Sequence, residues 1–157
     1  MTIEVMNESG MDVDLRMLSQ LARFVMDTMR VHPQAELCIK AVDEPTIAEL
    51  NQQWMDKQGP TDVLAFPMDE LRPGRVGEEP EEGVLGDLVL SPAVARRQAE
   101  DRVLAGHAGY TAEAELELLV THGVLHLLGY DHAEPEEHAV MFGLQDELLA
   151  QWRARGA

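Results

Sequence analysis

The spacing of apolar residues along the chain predicts five helices. The clearest stretch, Val13 to Val31, repeats leucine, valine or methionine every three or four positions, as one face of an amphipathic helix does. Pro33 ends this stretch, because proline is poorly tolerated inside a helix. The other four helices begin at a capping residue or at a proline in the first turn: Pro45, Ser91-Pro92, Thr111 and Pro135.

Four short apolar runs predict strands, and together with the helices they define a fold class. The runs are Thr2–Val5, Glu36–Val42, Asp62–Phe66 and Val84–Leu90. Helices alternate irregularly with these strands, and no repeat or linker divides the 157 residues. We therefore predict a single α+β domain over residues 1–157, in which about five helices pack over a small mixed four-stranded sheet.

Composition and charge limit the partners that the chain can bind. The 45% apolar and 26% charged residues are typical of a globular protein, and the net charge is −17. Such an acidic chain lacks the basic footprint of a DNA-binding protein, so no DNA partner is expected. Six acids against two arginines mark Asp69–Glu82 as an exposed loop. Arg16, Arg23 and Arg30 recur every seven positions, which places them along one side of the first helix. This side is either a solvated face or a docking surface for a polyanion.

Two sequence features predict a cytoplasmic protein without a membrane segment. Residues Met1–Gly10 lack the basic region and the long apolar run of a secretion signal. The most apolar stretch, Leu116–Leu128, is interrupted by a glutamate and two histidines, so we do not expect it to span a membrane. Cys38 is the single cysteine, which excludes a disulfide within one chain and fits a reducing compartment.

Three histidines stand at a spacing that is typical of a metal site. His122 and His126 are four residues apart, so they share one face of the fourth helix, and Gly129 then ends that helix. His132 follows in the turned segment, where it can approach the other two. The helix is apolar nearly all round, and buried imidazoles need polar partners, which a metal ion would provide. We predict that the three histidines ligate a catalytic zinc, with a water at the open fourth position.

The same spacing occurs in metzincin peptidases, which are the first alternative. Those enzymes place a glutamate, their general base, directly after the first histidine. Gly123 occupies that position here and has no side chain, so a metzincin-like metallopeptidase is disfavoured. A purely structural zinc is also disfavoured, because such sites usually use several cysteines and the chain has one.

The segment from His122 to His132 resembles the signature of the YbeY family, the bacterial metal-dependent endoribonucleases of ribosomal RNA maturation. It reads His-Gly-Val-Leu-His-Leu-Leu-Gly-Tyr-Asp-His. Other segments agree with the family in the same order: Leu50-Asn51, Thr61–Pro67 and Leu85–Leu90. The resemblance extends from about Ile3 to the last helix and so covers nearly the whole chain.

The resemblance implies an activity, a cofactor and partners. It implies an α+β fold, one Zn²⁺ per chain held by the three histidines, and cleavage of single-stranded RNA. It also implies maturation of the 3′ end of 16S ribosomal RNA and a part in ribosome quality control. The partners would be a ribosomal RNA precursor and the ribosome or a ribosomal protein, and delivery by such a protein would suit the acidic chain. A non-enzymatic ribosome assembly factor with a structural metal remains an alternative.

One position departs from the family pattern. Many members carry an arginine shortly after Leu-Asn, whereas this chain has Met55 there. An arginine near a metal can bind a phosphate oxygen and stabilise the charge that develops during reaction. We interpret Met55 as a core residue, and Lys57, Arg96 and Arg97 as candidate substrate-binding residues that could replace the arginine.

Overall fold

The computed structural model describes residues 2–155, which form four strands and five helices. In chain order these are β1 (Thr2–Glu8), α1 (Leu15–Thr28), β2 (Glu36–Val42), α2 (Glu44–Met55), β3 (Val63–Pro67), β4 (Val84–Leu90), α3 (Pro92–Leu104), α4 (Ala112–Leu127) and α5 (Pro135–Ala154). The predicted α+β fold with five helices is confirmed. Among residues 2–155, no helix combines the length and the apolar character that crossing a membrane requires.

The four strands form one mixed sheet in the order β1-β2-β4-β3. The first three strands of this order are mutually parallel, and β3 pairs antiparallel with β4 at one edge. Pro67 ends β3 opposite Gly86. A proline is tolerated there because an edge strand leaves one side of its backbone without a ladder partner.

The helix that carries the histidine motif, α4, lies at the centre of the molecule. It packs against α1, α3 and α5 and also against strands β3 and β4. Its apolar side chains are almost completely buried: Leu119, Val120, Val124, Leu125 and Leu127. A helix enclosed on several sides has little freedom to shift, so α4 is a rigid support for the residues that it presents.

The first helix is shorter than the sequence predicts. We expected it to cover Val13–Val31, but α1 ends at Thr28 and Arg30 adopts a left-handed φ of +57°. Met29 and Val31 stay buried beyond the end of the helix, so the apolar periodicity outlasts the helical backbone. Arg30 therefore lies outside α1, and the predicted stripe of three arginines loses its third member.

The acidic segment Asp69–Glu82 is anchored at its N-terminal part rather than exposed throughout. Leu71 is only 2% exposed and belongs to the main hydrophobic core. A carboxylate oxygen of Asp69 accepts the Val84 N–H at 2.6 Å, and the Gly74 N–H donates to the Met29 carbonyl at 3.1 Å. The prediction of a wholly exposed loop was wrong at Leu71, whose burial and two nearby hydrogen bonds hold the start of the segment against the core.

Candidate metal centre

The structure brings His122, His126 and His132 together. Each imidazole offers one ring nitrogen to a cluster whose atoms all lie within 4.8 Å of one another. The ring centroids are 4.6 Å apart for His122 and His126, and 5.2 Å apart for His126 and His132. A set of three convergent nitrogen donors of this size could hold a metal ion.

The local sequence explains how the third histidine reaches the first two. Gly129 follows the last turn of α4 with a φ of +98°, a left-handed conformation that glycine adopts without strain. Its N–H donates to the His126 carbonyl at 3.0 Å, and the Tyr130 N–H donates to the Leu125 carbonyl at 3.0 Å. These bonds close the helix and turn the chain back, which brings the His132 ring centroid within 5.6 Å of that of His122 and 5.2 Å of that of His126.

Burial keeps the two helical histidines in the form that binds metals. Removal from water lowers the pKa of His122 below its ordinary value, and the nearby His132 lowers that pKa further. Burial, followed by the neighbouring His122 and His132, likewise lowers the pKa of His126. Both imidazoles are therefore neutral at neutral pH, and each has a nitrogen lone pair available for a metal.

A buried glutamine orients the first histidine. Gln145 is only 2% exposed, and its Oε1 lies 2.8 Å from Nδ1 of His122. An amide oxygen accepts hydrogen bonds, so Nδ1 of His122 donates the proton and Nε2 keeps its lone pair. Partners of this kind fix the tautomer and the ring orientation of histidines that ligate metals. The hydrogen bond therefore supports a metal at this cluster.

The sequence analysis missed Gln145, although the chain carries a signal for it. Gln145 lies among the buried apolar residues of α5, such as Met141 and Leu148. A polar side chain on the apolar face of a helix must find a hydrogen-bonding partner inside the protein. That signal marks the residue as unusual, but only the packing of α5 against α4 shows that the partner is His122.

We predict that Gln145→Leu weakens zinc binding by about 10- to 100-fold, since loss of such an orienting partner typically has that effect. Leucine keeps the volume and the burial but leaves Nδ1 of His122 without an acceptor. Competition with a chromophoric zinc chelator would measure the affinity. The matched control is Gln151→Leu on an exposed position of the same helix. Equal affinities for the two variants would show that the hydrogen bond does not support metal binding.

Two clefts meet at the histidines. The first, which we call the Lys57 cleft, encloses about 490 Å³ and is lined by Asn51, Met55 and Lys57 together with all three histidines. The second, the Arg102 cleft, encloses about 520 Å³ on the other side of His122 and His132. Asp62 lines both clefts. An extended ligand could therefore pass over the cluster with one part in each cleft.

The predicted substrate-binding residues separate into two groups. Lys57 lines the first cleft, together with the three histidines. Arg97 instead pairs with Glu44, Arg96 pairs with Glu100 at 3.6 Å, and neither lines a cleft that contains the histidines. Met55 is 38% exposed and faces the Lys57 cleft, so its interpretation as a core residue was wrong. It is the last residue of α2.

Comparison with known proteins decides the family. The family profile described as Endoribonuclease YbeY matches residues 4–153. The chain belongs to the YbeY family. The protein named Endoribonuclease YbeY from a Nocardioides species is 73% identical over 155 residues, which are 99% of this chain and 100% of that protein. The YbeY protein of Thermobifida fusca is 57% identical over 98% of this chain and 95% of its own length.

A solved structure is similar over the same range. The solution structure of a Thermotoga maritima protein superimposes with a TM-score of 0.61 at 28% sequence identity, and the match covers 98% of this chain and 93% of that one. The YbeY relatives and this structure agree with the fold, and the resemblance that the histidine motif suggested is confirmed.

Proposed function

We propose that this chain is a zinc-dependent endoribonuclease that cleaves single-stranded RNA during ribosomal RNA processing. The observation that carries the proposal is the cluster of three histidine nitrogens within 4.8 Å in a chain of the YbeY family. The names of its relatives support the cleavage of RNA. The specific substrate that we propose is the 3′ end of precursor 16S ribosomal RNA, with a further part in ribosome quality control.

His122, His126 and His132 would hold one Zn²⁺ per chain, since three imidazoles suit this ion and leave a coordination position open. When bound, the ion supplies Lewis acidity at the phosphate and makes water more acidic. The chain's own residues would orient the ligands and bind the substrate. Gln145 holds the tautomer of His122 through the bond at 2.8 Å. Lys57 contributes a positive charge that can bind a phosphate in its cleft.

Asp62 is the carboxylate best placed to move a proton. It lines both clefts, and its two oxygens are oriented by the Val63 N–H at 2.7 Å and the Gln98 amide at 3.3 Å. We propose that its carboxylate accepts the proton of the attacking group. That group is either a water or the ribose 2′-hydroxyl. The nature of the RNA product ends distinguishes the two, since only attack by the 2′-hydroxyl leaves a 2′,3′-cyclic phosphate.

The negative net charge of the chain supports recruitment of the enzyme to its RNA substrate by another protein. With a net charge of −17, most of the surface repels RNA, and a cationic ribosomal protein could bring the enzyme to its substrate. We accordingly propose that the ribosome or a ribosomal protein is the partner and that the enzyme acts in the cytoplasm. A precursor with an unprocessed 16S 3′ end should accumulate in cells that lack the protein.

A substrate panel tests the proposed activity. We expect the zinc-loaded protein to cut single-stranded RNA, and to cut the same sequence in a duplex at least about tenfold more slowly, because a duplex cannot bend its backbone into two clefts. Casein should remain intact in the same buffer. Proteolysis that disappears in a His126→Ala variant would instead establish a metallopeptidase. RNA processing that survives His122→Ala, with only thermal stability lost, would establish an assembly factor with a structural metal.

A further inference from the structure

The guanidinium of Arg72 lies against the turn that joins two of the histidines. A Cβ atom built on Gly129 would lie 2.7 Å from Nη1 and 3.1 Å from Cζ of Arg72. Gly129 is three residues from His126 and three from His132, and its N–H donates to the His126 carbonyl at 3.0 Å. Gly129 thus leaves room for the guanidinium against the turn between His126 and His132, in addition to ending α4; the guanidinium lies outside the lining of the two clefts.

The backbone around Arg72 is held on both sides, which fixes where its side chain begins. Leu71 is buried in the main core at 2% exposure, directly before Arg72. Two residues after Arg72, the Gly74 N–H donates to the Met29 carbonyl at 3.1 Å. A Cβ on Gly74 would lie only 2.3 Å from the Arg30 carbonyl oxygen, so this close approach also requires glycine. The side chain of Arg72 itself remains exposed.

Arg72 differs from Arg102, the arginine that lines a histidine cleft, because Arg72 forms no ion pair within residues 2–155. This holds although its own segment, residues 69–82, carries six acids. Arg102, which lines the second cleft, is neutralised by the buried Glu115 at 2.7 Å. No carboxylate of residues 2–155 therefore occupies the planar N–H donors of Arg72, the group that binds phosphate in the bidentate manner.

We propose that Arg72 binds a phosphate of the RNA strand just outside the two clefts, at the turn that joins His126 to His132. The proposal rests on the proposed ribonuclease function and adds a substrate contact that the sequence analysis did not consider. Met55 faces the Lys57 cleft with an uncharged side chain and cannot bind phosphate. Arg72 supplies a guanidinium from a different segment of the chain, at the other end of the histidine motif.

The test compares Arg72→Gln with Arg75→Gln, a matched loss of charge at an exposed position of the same segment. The ligand is a fluorescent 2′-O-methyl RNA whose integrity is checked on a gel, and the readout is fluorescence anisotropy with the zinc-loaded protein. We expect Arg72→Gln to raise Kd by about 10- to 100-fold, as the loss of a charged hydrogen bond does. Arg75→Gln should stay within about threefold, and Arg72→Lys should lie between, since it keeps the charge but loses the planar donors.

The salt dependence separates a phosphate contact from a structural role. Loss of one phosphate contact should reduce the slope of log Kd against log salt concentration by about 0.7 for a single strand. Equal weakening by the two glutamine variants would overturn the proposal in favour of general electrostatics. Unchanged RNA binding with a lowered melting temperature would also overturn it, because Arg72 would then only support the C-terminus of α4. If the wild type cuts no RNA, the proposed function fails, and the anisotropy comparison still decides the role of Arg72.

Discussion

His126→Ala should abolish stoichiometric zinc binding and lower the rate of RNA cleavage by more than about 100-fold. Removal of a residue that only hydrogen-bonds a metal ligand costs up to about 100-fold, and His126 is itself a proposed ligand. The reason is geometric. Two imidazoles remain after the substitution, and the third of the nitrogen donors that lie within 4.8 Å of one another is lost. Metal content by mass spectrometry and cleavage of a labelled single-stranded RNA would measure the two effects on the same sample.

His107→Ala is the matched control for this prediction. His107 lies in the exposed turn between α3 and α4 and outside the histidine cluster. It should keep the metal content and the cleavage rate of the wild type. If His126→Ala retained one zinc per chain and normal cleavage, the assignment of the three ligands would be wrong. Thermal melting of the wild type and both variants would show whether a loss of activity arises from unfolding.

Gly86→Ala should lower the free energy of unfolding by about 2–6 kcal/mol, the sum of typical costs for backbone strain and for overpacking. Gly86 has a φ of +146°, and a Cβ there would lie 2.3 Å from the Phe66 carbonyl oxygen of the paired strand β3. The same Cβ would lie 3.0 Å from Leu127 at the end of α4. Relief of these contacts requires β3 or α4 to move. Urea unfolding followed by circular dichroism would measure the change.

Gly143→Ala provides the opposite expectation from the same kind of substitution. A Cβ on Gly143 meets no atom within 4 Å, and the residue lies inside α5. Alanine should therefore stabilise the protein by up to about 1 kcal/mol, because glycine is a poor helix former. If the two alanine variants unfolded at the same urea concentration, the close approach of β3, β4 and α4 at Gly86 would be contradicted.

The cluster of three histidines could be predicted from the sequence because every signal for it is local. The spacing of His122 and His126 fits one helix face, Thr111 caps that helix, and Gly129 ends it. All of these lie within about one helix length. The structure confirms the N-cap of α4, since the hydroxyl of Thr111 accepts a hydrogen bond from the Ala114 N–H at 3.1 Å. Helix starts at Pro135 and Ser91-Pro92 were predicted correctly for the same reason.

The features that were missed depend on contacts between distant parts of the chain. Gln145 is 23 residues from the histidine that it orients, and Arg72 is 57 residues before Gly129. No periodicity or short motif connects residues at such distances. The exposure of Met55 likewise depends on where the end of α2 lies relative to the sheet, which the helical pattern of α2 alone does not determine.

The structure gives Gly123 a second meaning. In the sequence analysis, Gly123 mattered only because it occupies the position where a metzincin peptidase has its catalytic glutamate. A Cβ on Gly123 would lie 2.7 Å from a methyl carbon of Leu88, which is completely buried in β4. Even the Cβ of a glutamate at this position would require the Leu88 side chain to shift. The packing of α4 on β4 thus leaves little space for a side chain at the position where metzincins carry their glutamate.

Removal and restoration of the metal test the central claim most directly. The wild-type protein would be stripped with a chelator, dialysed, and titrated with Zn²⁺ while cleavage of a single-stranded RNA is followed. We predict that cleavage is lost on stripping and returns in proportion to zinc, with saturation at one ion per chain. Full cleavage by protein that holds less than about a tenth of an ion per chain would contradict metal-dependent catalysis at the three histidines.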